Sequence, residues 1–275
     1  MEAPVADISP AGKVTARLGY IVLIATAAAL GGLMFGFDVA IITGAGPFIE
    51  QAFGLDALGL GWAFSSLLGC VAGAAVSGML VDWLGRKVLM VGVAVLFGAT
   101  TVLTGLAPDF ETFVLARFLG GLAVGAVSLV APMYVSEVAP AHLRGRMGAL
   151  YQMAVVTGIL VSYLINYALR DMGPEAWRYM FYTGAIPAAL YLVLLLCVPE
   201  SPRFLVRKGK DVQALAILER LGAQGQASID DIRASLQADK GSWLDLLRPH
   251  VRPPLVISVV LAILIHLSGI NTVID

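Results

Sequence analysis

Two side chains stand where a full charge is expensive. Asp38, in the stretch GGLMFGFDVAIITG (31–44), is the only charge between Arg17 and Glu50, and Arg117 interrupts a second apolar run at 112–136. A charge at the centre of a bilayer costs about 2.5–3.5 kcal/mol on insertion scales, so an acid and a base at similar depth lower that cost by pairing in a polar interior. At 1.5 Å per residue, Asp38 lies ~9 Å from the outer end of its helix, set near Gly44, and Arg117 lies ~8 Å from the start of its own near Thr112. The chemistry open to such a pair is reversible protonation. Arginine stays charged and favours the ionised carboxylate; separating the two lets the carboxylate take a proton. The competing reading is a fixed ion pair that only ties two helices together.

A second set of charges recurs at the ends of apolar runs. Asp82, Glu137 and Glu200 each follow a run, and each is trailed by arginine: Arg86, then Arg144 and Arg146, then Arg203. At the C-terminal end of its own helix an anion meets the negative end of the macrodipole. These acids therefore need partners on other helices, and an interhelical charge network that latches one face of the membrane domain is expected. Neutral polar groups inside the runs are Gln152, Asn166, His266 and Asn271, and the amides among them suit hydroxyl ligands.

The elements that must position these residues are membrane spans. Of the 275 residues 59% are hydrophobic and 13% charged, against about 25% charged in soluble domains. Runs free of charge apart from Asp38 and Arg117 lie at 18–49, 57–81, 88–108, 112–136, 147–169, 179–199 and 253–274, each long enough to cross ~30 Å of hydrocarbon as a helix. Small residues four apart, such as Gly69/Gly73 and Gly121/Gly125, suit close helix packing. The expected domains are an N-terminal segment at 1–17, a six-helix bundle at 18–199, a polar linker of short helices at 200–252 and a seventh span at 253–275. Within the linker, amphipathic pieces lie near 211–221, 229–237 and 243–248, with Ser228/Asp231 and Ser242/Asp245 as helix-start pairs. GGLMFG (31–36) returns as GGLAVG (120–125), which suggests two related triplets of spans.

Orientation follows from the bases. Lys13, Arg17, Arg86, Lys87, Arg144, Arg146 and all the bases of 200–252 fall on one side, and only Arg170 and Arg178 on the other. The positive-inside rule places the N-terminus in the cytoplasm, in a multi-pass protein of the plasma (inner) membrane. The chain ends at Asp275 inside or just after span seven, and a six-helix half normally works with a second half, so a longer protein is expected.

Composition also excludes. Net charge is −1 and no basic domain is present, so nucleic acid is not an expected partner. Cys70 and Cys197 read as small hydrophobes. No nucleophile–base pair, metal-ligand cluster or phosphate loop is visible, so no enzymatic activity, cofactor or metal is expected. The expected partners are a small solute, protons and the lipid bilayer.

Several stretches resemble the sugar porter family of the major facilitator superfamily: GFDVAIITG (36–44), GMLVDWLGRK (78–87), ARFLGGLAVG (116–125), PMYVSEVAPAHLRGRMG (132–148), PESPRFL (199–205) and LSGIN (267–271). The resemblance implies an all-α, two-bundle transporter of which this chain holds the first bundle (3+3 repeats), the helical linker and the start of the second. It implies a monosaccharide or polyol as solute, with Asp38 and Arg117 at the proton-coupling positions of the symporters. It also implies that Gln152 and Asn271 contact sugar. Asp82, Arg86, Glu137, Arg144, Arg146, Glu200 and Arg203 match the cytoplasmic motifs. The two glutamines common before LSGIN are Ile265 and His266 here, and Asp275 stands where an aromatic is common, so the solute or its binding geometry departs from the typical hexose. The readings carried forward are proton-coupled symport by alternating access, facilitative uniport, and a non-transporting sensor or inert fragment.

Overall fold

A computed structural model describes residues 10–140, 143–221 and 225–238, together with 253, 256, 257, 260 and 264. Its helices are α1 (Pro10–Phe53), α2 (Ala57–Ala63), α3 (Ser65–Leu84), α4 (Arg86–Leu106), α5 (Phe110–Val138), α6 (Arg144–Leu169), α7 (Ala176–Thr183), α8 (Ala185–Cys197), α9 (Pro202–Arg207), α10 (Asp211–Leu221) and α11 (Gly225–Ala238). Six stretches of these are long and apolar enough to cross a membrane: Gly19–Phe53, Gly61–Leu84, Arg86–Leu106, Phe110–Val138, Arg144–Leu169 and Ala176–Cys197. The last is built from α7 and α8. Pro187 has no N–H to return to the carbonyl four residues earlier, and the helix is interrupted next to that position, at Gly184.

Glycine decides how the spans meet. On α1, a Cβ at Gly32 would stand 2.7 Å from the Tyr151 carbonyl oxygen, and one at Gly36 1.9 Å from that of Val155, both on α6. On α5, a Cβ at Gly121 would stand 2.0 Å from the Ser66 carbonyl, and one at Gly125 2.0 Å from that of Cys70, both on α3. The return contacts match too: Gly158 of α6 lies against the Leu33 carbonyl, and Gly73 of α3 against that of Leu122. Aligning GGLMFG with GGLAVG superposes Gly32 on Gly121 and Gly36 on Gly125. The same backbone-to-backbone seam is thus built twice, once in each triplet of spans. Two helices approach this closely only where neither presents a side chain.

Between the seams lie two apolar cores. One gathers Met34, Phe97, Val127, Tyr134 and Tyr191. The other gathers Phe37, Ile41, Phe113, Trp177 and Phe181, with Phe113 edge-on to both Trp177 and Phe181 at 5.7 Å. The outward faces carry exposed Leu67, Val71, Met79, Leu160 and Leu164, as surfaces in contact with lipid or other apolar helices do. The polar segment after 199 folds as α9–α11 around Leu205, Val206, Ala214, Leu218 and Ile229.

Three details differ from the sequence expectations. The first run was bounded at 18–49 with the outer end of its crossing set near Gly44, but α1 continues unbroken to Phe53 through Pro47. Gly44 serves packing rather than termination, since a Cβ there would meet the Asn166 side chain at 2.2 Å. Second, α11 begins at Gly225, upstream of the Ser228/Asp231 pair. A cap contributes only about 1 kcal/mol, and it does not prevent a helix from starting earlier when Ile229 and Ile232 pack on α9 and α10. Third, α9 lies in a stretch given no helix; Ser201 caps it through Phe204 N–H, with Pro202 at its first position, a favoured start. The 243–248 piece and Ser242/Asp245 lie outside the described residues.

At the opposite end from the linker, Asp109 caps α5 by accepting the Thr112 amide at 2.8 Å. That bond holds the Asp109 carboxyl below its usual value. A depressed folded-state pKa contributes stability that is present above the unfolded value and lost as pH falls through the folded one. Asp109→Asn, which still caps, is therefore expected to lower thermal stability at neutral pH and to converge on wild type as acid protonates the Asp109 carboxyl. Melting curves of both proteins from neutral to acid pH check it.

Candidate functional site

Asp38 on α1 and Arg117 on α5 face each other across the bundle. Arg117 Nη1 donates to Asp38 Oδ1 at 2.5 Å, and Nη2 reaches Oδ2 at 3.5 Å. Both side chains are 3% exposed. Ser66 Oγ on α3 donates to Oδ2 at 2.7 Å, so three helices converge on one carboxylate. Arg117 also stacks over the Phe181 ring at 5.2 Å, and its Nε has no hydrogen-bond partner. The carboxylate thus has two donors, one charged and one neutral. Losing the charged donor leaves Ser66 still able to hold it.

Ser66 was not picked out from sequence, because a serine in a small-residue run reads as helix packing. The legible signal was its place one turn from Gly69 on the face that meets Gly121. Where helix backbones nearly touch, a hydroxyl is delivered to the neighbouring helix.

The second site lies at the linker end. Arg86, 5% exposed, donates through Nη2 to Glu137 at 2.6 Å and through Nη1 to the Val81 carbonyl at 3.3 Å. Its contact with Asp82 is longer, 3.8 Å. Glu137 also accepts from the Ser201 hydroxyl. Asp82 pairs with Arg207 at 2.7 Å. Glu200 turns to the backbone: Oε1 accepts the amides of Arg86 at 3.0 Å and Lys87 at 3.1 Å. It caps α4 at the positive end of that helix, where an anion is favoured. Gly85, at φ +97°, makes the turn that opens those amides, and a Cβ there would strike Glu200 Oε2 at 2.5 Å. Phe204 lies beneath Arg86 at 5.7 Å.

Of the expected network, the structure brings together Asp82, Arg86, Glu137 and Glu200 and adds Arg207 and Ser201. Arg144 gives its Nε to the Ala139 carbonyl at 3.2 Å. With Arg203 it lines a cavity of about 740 Å³ beside Asp82, Arg86 and Glu137. Arg146 is exposed in the first turn of α6. The shorter pairs, Arg86 with Glu137 and Arg207 with Asp82, cross between elements distant in sequence. Gln152 lies on an exposed face of α6. His266 and Asn271 fall outside the described residues. Among the described residues no group of acids, histidines and cysteines could hold a metal ion.

Comparison with known proteins completes the picture. Residues 24–274 match the model of the family described as "Sugar (and other) transporter". The chain is 36% identical over 266 residues to an arabinose-proton symporter of Bacillus subtilis (strain 168), covering 93% of this chain and 57% of that protein. It is 40% identical to a glucose transport protein of Synechocystis sp., with 94% and 59% covered. Among solved structures, the proton:xylose symporter XylE bound to 6-bromo-6-deoxy-D-glucose superposes with a TM-score of 0.79 at 34% identity, over 84% of this chain and 56% of that one. The chain spans a little over half the length of the curated relatives it matches. On a family match over most of its length, a six-span bundle built from two equivalent triplets and a shared fold with XylE, the chain belongs to the sugar porters of the major facilitator superfamily.

Proposed function

We propose that this chain is the first bundle of a proton-coupled symporter for a monosaccharide, polyol or similar polyhydroxylated solute. The bundle, the linker and residues 253–275 then work with a second bundle by alternating access. The observation that carries the reading is the buried carboxylate of Asp38, held by Arg117 and Ser66 and placed between the helices of both triplets. A carboxylate with a detachable cation is a proton site, and one proton charge gains about 2.3 kcal/mol per 100 mV of membrane potential. Relatives named as arabinose- and galactose-proton symporters support the same reading.

In this scheme Gln152, His266 and Asn271 contact the solute from α6 and the seventh span. The knot of Asp82, Arg86, Glu137, Glu200 and Arg207 latches the cytoplasmic face, with Arg144, Arg146 and Arg203 at its rim. The N-terminus is cytoplasmic, as the distribution of bases supports, and the membrane is the plasma membrane. Solute transport without catalysis needs no enzyme chemistry.

Uptake into proteoliposomes holding the full-length transporter tests this. Wild type is expected to accumulate sugar only with an inward proton gradient, and Asp38→Asn to lose accumulation while still equilibrating solute. Gradient-independent uptake by both would establish the uniporter reading instead.

A further inference from the structure

A groove runs down the outside of the seam between α3 and α5, on the side away from Asp38. Consecutive residues separate the two sides: Ser66 bonds Asp38, whereas Ser65 faces the groove and gives its hydroxyl to the Val114 carbonyl at 3.0 Å. The groove has a volume of about 460 Å³ and is lined by Trp62, Leu68, Phe110, Val114, Leu115 and Phe118, with Glu111 at one end. The Ser65 bond consumes the one hydroxyl in its wall, so the lining is dry. Trp62, Leu68 and Leu115 are each more than half exposed.

A second cavity, of about 580 Å³, adjoins the first and shares Phe110, Glu111 and Leu115 with it. Its remaining lining is Asp109 and Thr112. Two carboxylates and no base thus stand at the mouth of an apolar groove. Among the described residues, the arginines of this end are committed elsewhere. Arg178 bonds Glu175 and the Gly105 and Ala107 carbonyls, and Arg170 bonds Asp171. The mouth lies at the first turn of the span Phe110–Val138, the level of lipid headgroups, with Trp62 in the position aromatic residues favour at that interface.

We propose that this groove is a binding site for an aminophospholipid of the leaflet at this end, its acyl chain along Trp62, Leu68, Leu115 and Phe118 and its primary ammonium on Glu111 and Asp109. A primary ammonium offers three N–H donors, and its bonds to carboxylates are charge-assisted. A choline headgroup has no such donor. A glycerol headgroup brings no positive charge and leaves the phosphate beside two carboxylates.

The test is fluorescence quenching in nanodiscs containing the full-length transporter and phospholipids brominated on the acyl chain. The signal from Trp62 is read as the difference between wild type and Trp62→Phe. Brominated phosphatidylethanolamine is expected to quench Trp62 at about threefold lower mole fraction than brominated phosphatidylcholine or phosphatidylglycerol, a ratio within reach of an exposed ion pair. Glu111→Gln is expected to erase that preference while lipid still quenches. Equal quenching by the three headgroups in wild type would overturn the assignment. So would a Trp62 shielded from every brominated lipid, whether by a second copy of the chain or by another segment.

Discussion

Arg117→Leu is expected to destabilise the bundle by about 3–5 kcal/mol, the range for a buried pair that loses one member. The Asp38 side chain is 3% exposed, and without Arg117 its carboxylate keeps only Ser66. The variant also loses the stacking of the guanidinium on Phe181, worth about 0.5–2 kcal/mol. Asp38→Asn is milder, because the amide oxygen still accepts from Nη1 while the amide NH2 donates to the Ser66 hydroxyl oxygen, although the arginine charge is then uncompensated. The double variant Asp38→Asn/Arg117→Leu removes both charges and is expected to recover most of what Arg117→Leu loses, since a neutral polar side chain with a hydroxyl partner costs less to bury than an unpaired ion. Thermal midpoints in detergent for the four proteins form the double-mutant cycle. A neutral Arg117→Leu would show that Asp38 is protonated or hydrated in the folded protein, and the proton-site argument would then need a different holder for the charge.

Gly36→Val has the second large effect, for a different reason. A Cβ at Gly36 would sit 1.9 Å from the Val155 carbonyl oxygen. The obstacle is backbone, so no rotamer change relieves it, and α1 and α6 must separate. A cost of about 3 kcal/mol or more is expected, at or above the usual range for overpacking. The duplicated seam supplies its own check: Gly125→Val, whose Cβ would meet the Cys70 carbonyl at 2.0 Å, is expected to lose a similar amount from the other triplet. Gly92 has nothing within 4 Å of an added Cβ, so Gly92→Val is expected to leave stability near wild type. If all three variants melted alike, close approach of the backbones would not be what holds the seams.

Much of this was legible in the chain. Apolar length located the six spans, because a bilayer imposes about 20 residues on any helix that crosses it. Asp38 and Arg117 were conspicuous because their surroundings left so few other polar groups. The repeated GGL-x-x-G carried real geometric information, since only small residues let backbones meet. Less legible was where helices end. Gly44 resembles a terminator and is instead a contact, and nothing local to Ser228 reveals that α11 has already begun.

Pairing was the least legible. Asp82, Glu137 and Glu200 looked equivalent in sequence, each an acid after a span with arginine close behind. Folded, they differ: Glu137 bonds Arg86 from another helix, Asp82 bonds Arg207 from the linker, and Glu200 binds backbone amides at the start of α4. Side-chain types reveal that a charge needs a partner. The choice among partners depends on distances set by the packing of elements far apart in the chain, and sequence spacing does not encode those distances. By itself the sequence determined that this is a helical membrane bundle with one acid and one base inside, because the bilayer penalises everything else; it only suggested two related triplets. Only the tertiary structure decided that Ser66 completes the carboxylate site and that Glu200 is a helix cap, because each depends on how closely two helices approach.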